Sequence, residues 1–304
     1  MKENLKNLVL TVSSMLKVIR NYPHRTKTED TEEKPQPCYV FGNGPSLKTD
    51  ILGRESFYAG KTVCCVNLFV KSESYELIRP AYYVFLDPLL WDENATEDML
   101  ETIKEAIGLI RKKTTWNITI YIPFRARRSI LWKSVFDGCS NIHVCFFNDT
   151  LVEGYRWFRL FAYKKNIGIP PAQNVLVMAL FLALNNGFKK IYLLGADHSW
   201  HKELELNESR QVCFRDHHFY DKREAPLVPF YDNTPGGRAF TMHGIFSAIA
   251  RMFYGYEVLN DYAEVLGAKI SNASSVTYID AFERCDTGKL YDEKPVQEPV
   301  HHLA

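Results

Sequence analysis

At the start of the chain, Leu5, Leu8, Val9, Val12, Leu16 and Ile19 recur at helical spacing, with Lys2, Lys6, Lys17 and Arg20 on other faces. This pattern predicts an amphipathic helix over residues 1–22, able to dock on the body, mediate oligomerisation or lie on a membrane. Residues 23–37 are charged and proline-containing and read as a linker. From Cys38 the pattern changes. The short apolar runs CYVF, KTVCCV, AYYVFL, NITIYI, IHVCFF, KKIYLL and AKIS alternate with helical stretches, most clearly Glu97–Lys112 and Gln173–Asn186. Such alternation predicts an α/β, Rossmann-like domain over residues 38–285, with a mostly parallel sheet and helices on both faces. The run VLVMALFLAL (Val175 to Leu184) is apolar all round but too short to span a bilayer, and it reads as a buried helix. Residues 202–237 are polar and short on periodicity, which predicts a lid or binding loop. Residues 286–304 form a tail.

The strand-like runs lead repeatedly into Asn or Asp: Asn43, Asn67, Asp87, Asn148, Asp197 and Asn272. Each alone suits a turn or a helix cap. In open α/β sheets, however, ligands bind outside the carboxyl ends of the strands, so the recurrence points to a polar small-molecule crevice. The first run breaks into Gly42-Asn43-Gly44-Pro45-Ser46, a loop that lets backbone approach a ligand. It lacks the Lys-Ser/Thr of a phosphate-binding P-loop and the third glycine of a dinucleotide fingerprint.

Composition narrows the class. The 304 residues suit one large domain with an appendage, and 46% hydrophobic with 24% charged residues suits a globular enzyme. A net charge of +1 gives no field for nucleic acid. Seven cysteines without CxxC spacing argue against a disulfide framework and a zinc site, and indicate a reducing compartment. No secretory signal is visible. Asn-X-Ser/Thr occurs at Asn94, Asn117, Asn148, Asn207 and Asn272, which we read as chance matches.

The blocks GNGPSLK, CVNLF, YYVFLDP and NNGFKKIYLLGADHSW, in this order, resemble one superfamily. It contains the Campylobacter-type sialyltransferases, which use CMP-activated sialic acid, and the wider group of 6-hydroxymethylpterin diphosphokinases. The resemblance runs roughly from Cys38 to Asn272. It implies nucleotide contacts at Asn43, Gly44, Ser46, Asn67 and Asp87, near Gln173 and Asn174, and at Gly195 and Asp197. Where the sialyltransferases carry an aromatic pair whose Tyr helps the leaving phosphate, this chain has His198 and Ser199. Asp87-Pro88 stands where they have Asn-Pro.

Sugar transfer with inversion needs a base for the acceptor hydroxyl and donors or cations for the leaving phosphate. The resemblance makes His243, at the start of a helical run, and His218, within a His-Phe-Tyr pattern, the candidates for the base. Arg210 and Arg238 are candidates for the phosphate. DHSWH (Asp197, His198, His201) and DHH (Asp216 to His218) could make divalent-metal clusters, but the resembling sialyltransferases need no metal. The expected cofactor is therefore none beyond a nucleotide-sugar co-substrate, and a catalytic metal is not favoured. The aromatic-basic run from Glu153 to Lys165 suits a membrane interface, an oligomer interface, an acceptor groove or plain core packing.

The expectation is a cytoplasmic inverting glycosyltransferase, possible at the inner face of a bacterial membrane. It would pass a sialic-acid-like or other sugar from a nucleotide donor, CMP-linked as first choice, to a surface-glycan or lipid-linked acceptor, with no nucleic-acid partner and a homo-oligomer left open. The alternatives are a magnesium- and ATP-dependent diphosphokinase of the pterin type, and a nucleotide-binding module without catalysis.

Overall fold

The β-rich runs become strands because their side chains alternate between two apolar layers. Val40, Cys64, Val66, Val84, Leu193 and Ile270 face one layer, while Tyr39, Phe41, Cys65, Tyr83, Phe85 and Leu194 face the other. The computed structural model describes residues 2–24, 26, 33–86, 97–129, 136–215, 219–220, 227–231 and 238–292. The strands are β1 (Cys38–Phe41), β2 (Thr62–Val66), β3 (Tyr82–Val84), β4 (Ile118–Pro123), β5 (Ile142–Phe147), β6 (Lys190–Leu194), β7 (Glu205–Leu206), β8 (Val212–Phe214), β9 (Val228–Pro229), β10 (Lys269–Asn272) and β11 (Glu283–Arg284). Eight of them form one sheet in the order β11-β10-β6-β1-β2-β3-β4-β5, with every pairing parallel. The chain moves outward from β1 to β5 and returns to place β6 on the other side of β1. That reversal makes a doubly wound, Rossmann-like sheet with its switch point between β1 and β6.

The helices are α1 (Lys2–Asn21), α2 (Ser46–Ile51), α3 (Glu55–Tyr58), α4 (Tyr75–Ile78), α5 (Glu97–Lys113), α6 (Arg156–Lys164), α7 (Val175–Asn185), α8 (Met242–Val265) and α9 (Thr287–Asp292). The wholly apolar α7 lies in the centre of one layer, touching β1, β2 and β3 and packing on α8. Helices α2 and α5 supply Leu47, Ile51, Ile103 and Ile107 to the opposite layer. Because α8 leads into a parallel strand, it starts at the carboxyl edge of the sheet. It has 24 residues, about 36 Å, against strands of about 17 Å. Its first half therefore stands beyond that edge, where Met242, His243 and Phe246 are exposed, while Met252, Tyr256 and Leu259 are buried in the core.

Three details go beyond the sequence reading. The lid region carries an antiparallel sheet of its own, β7-β8-β9, whose strands are too short to show a period. The end of the linker is fixed: Lys34 bridges to Phe188, and its ammonium donates to the Tyr82 hydroxyl at 3.0 Å. Helix α1 does dock, but through its polar side. Thr11 and Ser14 accept hydrogen bonds from the backbone N–H groups of Tyr155 and Glu153, and Asn21 donates to Thr150. The approach is close enough that a Cβ on Gly154, whose φ is +100°, would lie 2.2 Å from the Thr11 hydroxyl.

Candidate functional site at the carboxyl edge

The loop after β1 and the turn after β6 are stitched together. Gly42 N–H donates to the Leu194 carbonyl at 2.8 Å and Gly44 N–H to the Gly195 carbonyl at 2.9 Å. Ser46 then donates from its backbone N–H to Asp197 Oδ1 at 3.1 Å and from its hydroxyl to Oδ2 at 2.7 Å. Gly44 is required for this contact, since a Cβ there would lie 2.1 Å from Asp197 Oδ2. Burial raises the Asp197 carboxyl above its ordinary range, and the two Ser46 hydrogen bonds oppose the rise. The stitching extends to the end of β10: Ala196 N–H donates to the Ser274 hydroxyl, Thr277 donates to the Ala196 carbonyl, and Tyr278 N–H donates to the Asp197 carbonyl.

Beside this seam lies a different environment. Asn43 donates through Nδ2 to the Val66 carbonyl at the end of β2, 3.1 Å away. Asn67, one residue further, sits in the left-handed region with φ +46°. Its backbone is pinned on both sides, by donation to the Val84 carbonyl and by acceptance from the Tyr83 hydroxyl at 2.7 Å. The Oδ1 atoms of Asn43 and of Asn67 are both buried without a hydrogen-bond partner among the described residues. Two such acceptors at neighbouring strand ends are an uncommon cost in a folded protein. The lid reaches the same spot: Phe219 N–H donates to the Asn43 carbonyl at 3.1 Å, and its ring packs on Phe69.

A third group is buried next to the seam. His198 has φ +54° and places Nε2 2.6 Å from the Tyr256 hydroxyl, with Trp200 stacked on its ring. Tyr256 donates to Asn174 Oδ1, and the same oxygen accepts from Val177 N–H, capping α7. Desolvation pushes the His198 imidazole down to about 3, so it is neutral at pH 7 and supplies no positive charge to a phosphate.

The expected site residues thus separate. Asn43, Gly44, Ser46, Gly195 and Asp197 come together, and Asn67 joins them through the Asn43–Val66 contact. Ser46, Gly195 and Asp197 are buried, with Ser46 bonded to Asp197 and the Gly195 carbonyl accepting from Gly44 N–H, which makes them supports of the edge. Asn174 belongs to the His198 group; Gln173 is exposed just before α7, and Ser199 is half-buried beside Trp200. Asn148 and Asn272 are turn residues, with Oδ1 accepting from Thr150 and Ser274 N–H respectively. Arg210 occupies the left-handed position of the β7–β8 hairpin, donating to the Asn207 carbonyl, and is exposed, as is Arg238. His243 follows the Thr241 cap of α8, roughly 20 Å along the axis from Tyr256 at about 1.5 Å per residue. Asp87 and His218 lie outside the described residues. The DHSWH residues have divergent partners, with His201 set edge-on to Tyr278, and among the described residues no group of three metal-ligating side chains converges.

Tyr256, Ser274 and Thr277 escaped the sequence reading. Asn272-Ala273-Ser274 has the spacing of an Asx turn and could have been recognised. Tyr256 sits within the buried stripe of a long helix and carries no local signal.

The fold is a doubly wound α/β sheet whose carboxyl edge over β1 and β2 carries the Asn43 and Asn67 amides. No family model matches the chain, and no curated protein matches it.

Proposed function

We propose that the chain is an inverting glycosyltransferase that moves a sugar from a CMP-linked donor to a surface-glycan acceptor. The observation that carries this reading is the pair of unpartnered amide oxygens, Asn43 Oδ1 and Asn67 Oδ1, at adjacent strand ends of a doubly wound sheet. Amide acceptors suit the donors of a nucleoside: the ribose hydroxyls and an exocyclic amino group. The order of blocks from GNGPSLK to GADHSW supports the same reading.

In the reaction, a base takes the acceptor hydroxyl proton as its oxygen attacks the anomeric carbon. The bond from that carbon to the phosphate oxygen breaks, and CMP leaves with the electron pair. The seam residues hold the edge rigid, and the neutral His198 keeps its place in the core. Ser46 and Gly44 N–H are already committed to Asp197 and Gly195, so charge on the phosphate falls to groups on the lid. His218 and His243 are the candidates for the base.

The test is release of CMP from CMP-sialic acid and related CMP-sugars, with a panel of glycan acceptors. The reading predicts acceptor-dependent release without magnesium, reduced about 100-fold or more by either His218→Ala or His243→Ala. Absence of release from every CMP-sugar, together with magnesium-dependent formation of AMP from ATP, would overturn it in favour of diphosphoryl transfer.

A further inference from the structure

Helix α1 docks with the wrong face for an ordinary amphipathic helix. Its buried residues are Thr11, Ser14 and Val18, while the apolar stripe points away from the body. Leu5 (63% exposed), Leu8, Val9, Val12, Leu16 and Ile19 (71% exposed) all face solvent. At about 100° per residue these six fall within an arc of about 100°, a stripe running the length of the helix. Exposed aliphatic residues scattered singly need no explanation, but a continuous stripe does.

The charges identify the occupant. On the same helical projection Lys2, Lys6, Lys17 and Arg20 all fall on one flank of the stripe, about 120° from the docked side, and all are exposed. Glu3 is the only acidic residue of the helix. Three faces therefore run side by side: polar and docked, apolar, and basic. A second copy of the helix would bring only Glu3 to meet the basic flank. An anionic lipid surface meets both faces at once, with acyl chains under the aliphatic stripe and headgroup phosphates beside the lysines. The helix lies on such a surface and does not cross it, since no helix among the described residues is long and apolar enough to span a bilayer.

We infer that α1 is a membrane-surface anchor that seats the folded chain on anionic lipid, its docked polar face holding the body at a fixed orientation. The hydrogen bonds of Tyr155 to Thr11 and to the Asn4 carbonyl tie that helix to the start of α6. There Trp157 and Phe161, one turn apart, are also exposed.

The test is flotation of the full chain with vesicles of phosphatidylcholine alone or of equimolar phosphatidylglycerol and phosphatidylcholine. The chain should float with the mixed vesicles, less with the neutral ones, and less again as salt rises. Val12→Glu with Leu16→Glu should reduce the vesicle-bound fraction about tenfold or more with an unchanged thermal melt, because both positions are solvent-facing. Lys6→Gln with Lys17→Gln should weaken binding to the mixed vesicles only. A wild-type chain that floats with neither vesicle, or a Glu variant that floats equally well, would overturn the inference. So would a lipid-free dimer, seen by sedimentation, that the Glu variant splits into monomers; the stripe would then be a self-association face.

Discussion

His198 shows how one residue can look catalytic in the sequence and be structural in the fold. It follows Asp197 at a strand end, where the resembling sialyltransferases carry an aromatic pair that helps the leaving phosphate, yet it is buried against Tyr256 and Trp200. Its titration makes this testable. The folded imidazole is held down to about 3 from 6.5, so between those values the unfolded chain binds the extra proton and stability falls as pH falls. Between pH 7 and pH 5 the loss is about 2 kcal/mol. Asp197, with its carboxyl raised by burial, acts in the opposite sense, and a comparison of variants cancels it. His198→Asn, which tolerates the positive φ, should be less stable at pH 7 but should lose about 2 kcal/mol less between pH 7 and pH 5 in urea titrations. Equal slopes for the two proteins would show that the imidazole does not titrate with folding.

Among the elements, seven strands of the main sheet were legible because each is a short apolar run bounded by turn residues. The long amphipathic α5 and the wholly apolar α7 were legible for equally local reasons. What the pattern could not show was which face of α1 the body takes. Apolar periodicity identifies a stripe that prefers to leave water, but the docking of α1 is decided by hydrogen bonds to Thr11 and Ser14 and by the bare Cα of Gly154. The lid sheet was hidden because two- and three-residue strands carry no period. Gly154→Ala tests the docking directly. It should cost about 1–3 kcal/mol and speed amide hydrogen exchange throughout α1, leaving β1, β2 and β6 protected. Unchanged exchange in α1 would mean that the helix is held by something other than this close approach.

For the whole molecule, the candidate site was half legible. Asn43, Asn67 and Asp197 stand at the carboxyl edge, where the strand ends placed them, and Gly44, Ser46 and Gly195, named by the resemblance, assemble with them. Their division into mutually bonded supports and groups with an open acceptor was not readable, because it depends on which donors already have acceptors. Ser46 and Asp197 satisfy each other, whereas Asn43 and Asn67 each keep an acceptor without a partner among the described residues. Only a three-dimensional hydrogen-bond account distinguishes these cases. His243, placed beyond the edge by the length of α8, was likewise chosen from its local context, which says nothing of distance.

The central claim is that the Asn43–Asn67 edge binds a nucleotide, and calorimetry tests it most directly. CMP, CDP, UDP, GDP and ATP would each be titrated with and without magnesium into the wild type and Asn67→Gly. Glycine accepts the φ of +46° at this position, so the substitution removes the amide and spares the backbone. The account predicts CMP binding that is independent of magnesium and weakened about tenfold or more in Asn67→Gly, with thermal stability unchanged. Magnesium-dependent ATP binding with no response to CMP, or CMP binding equal in the two proteins, would contradict it.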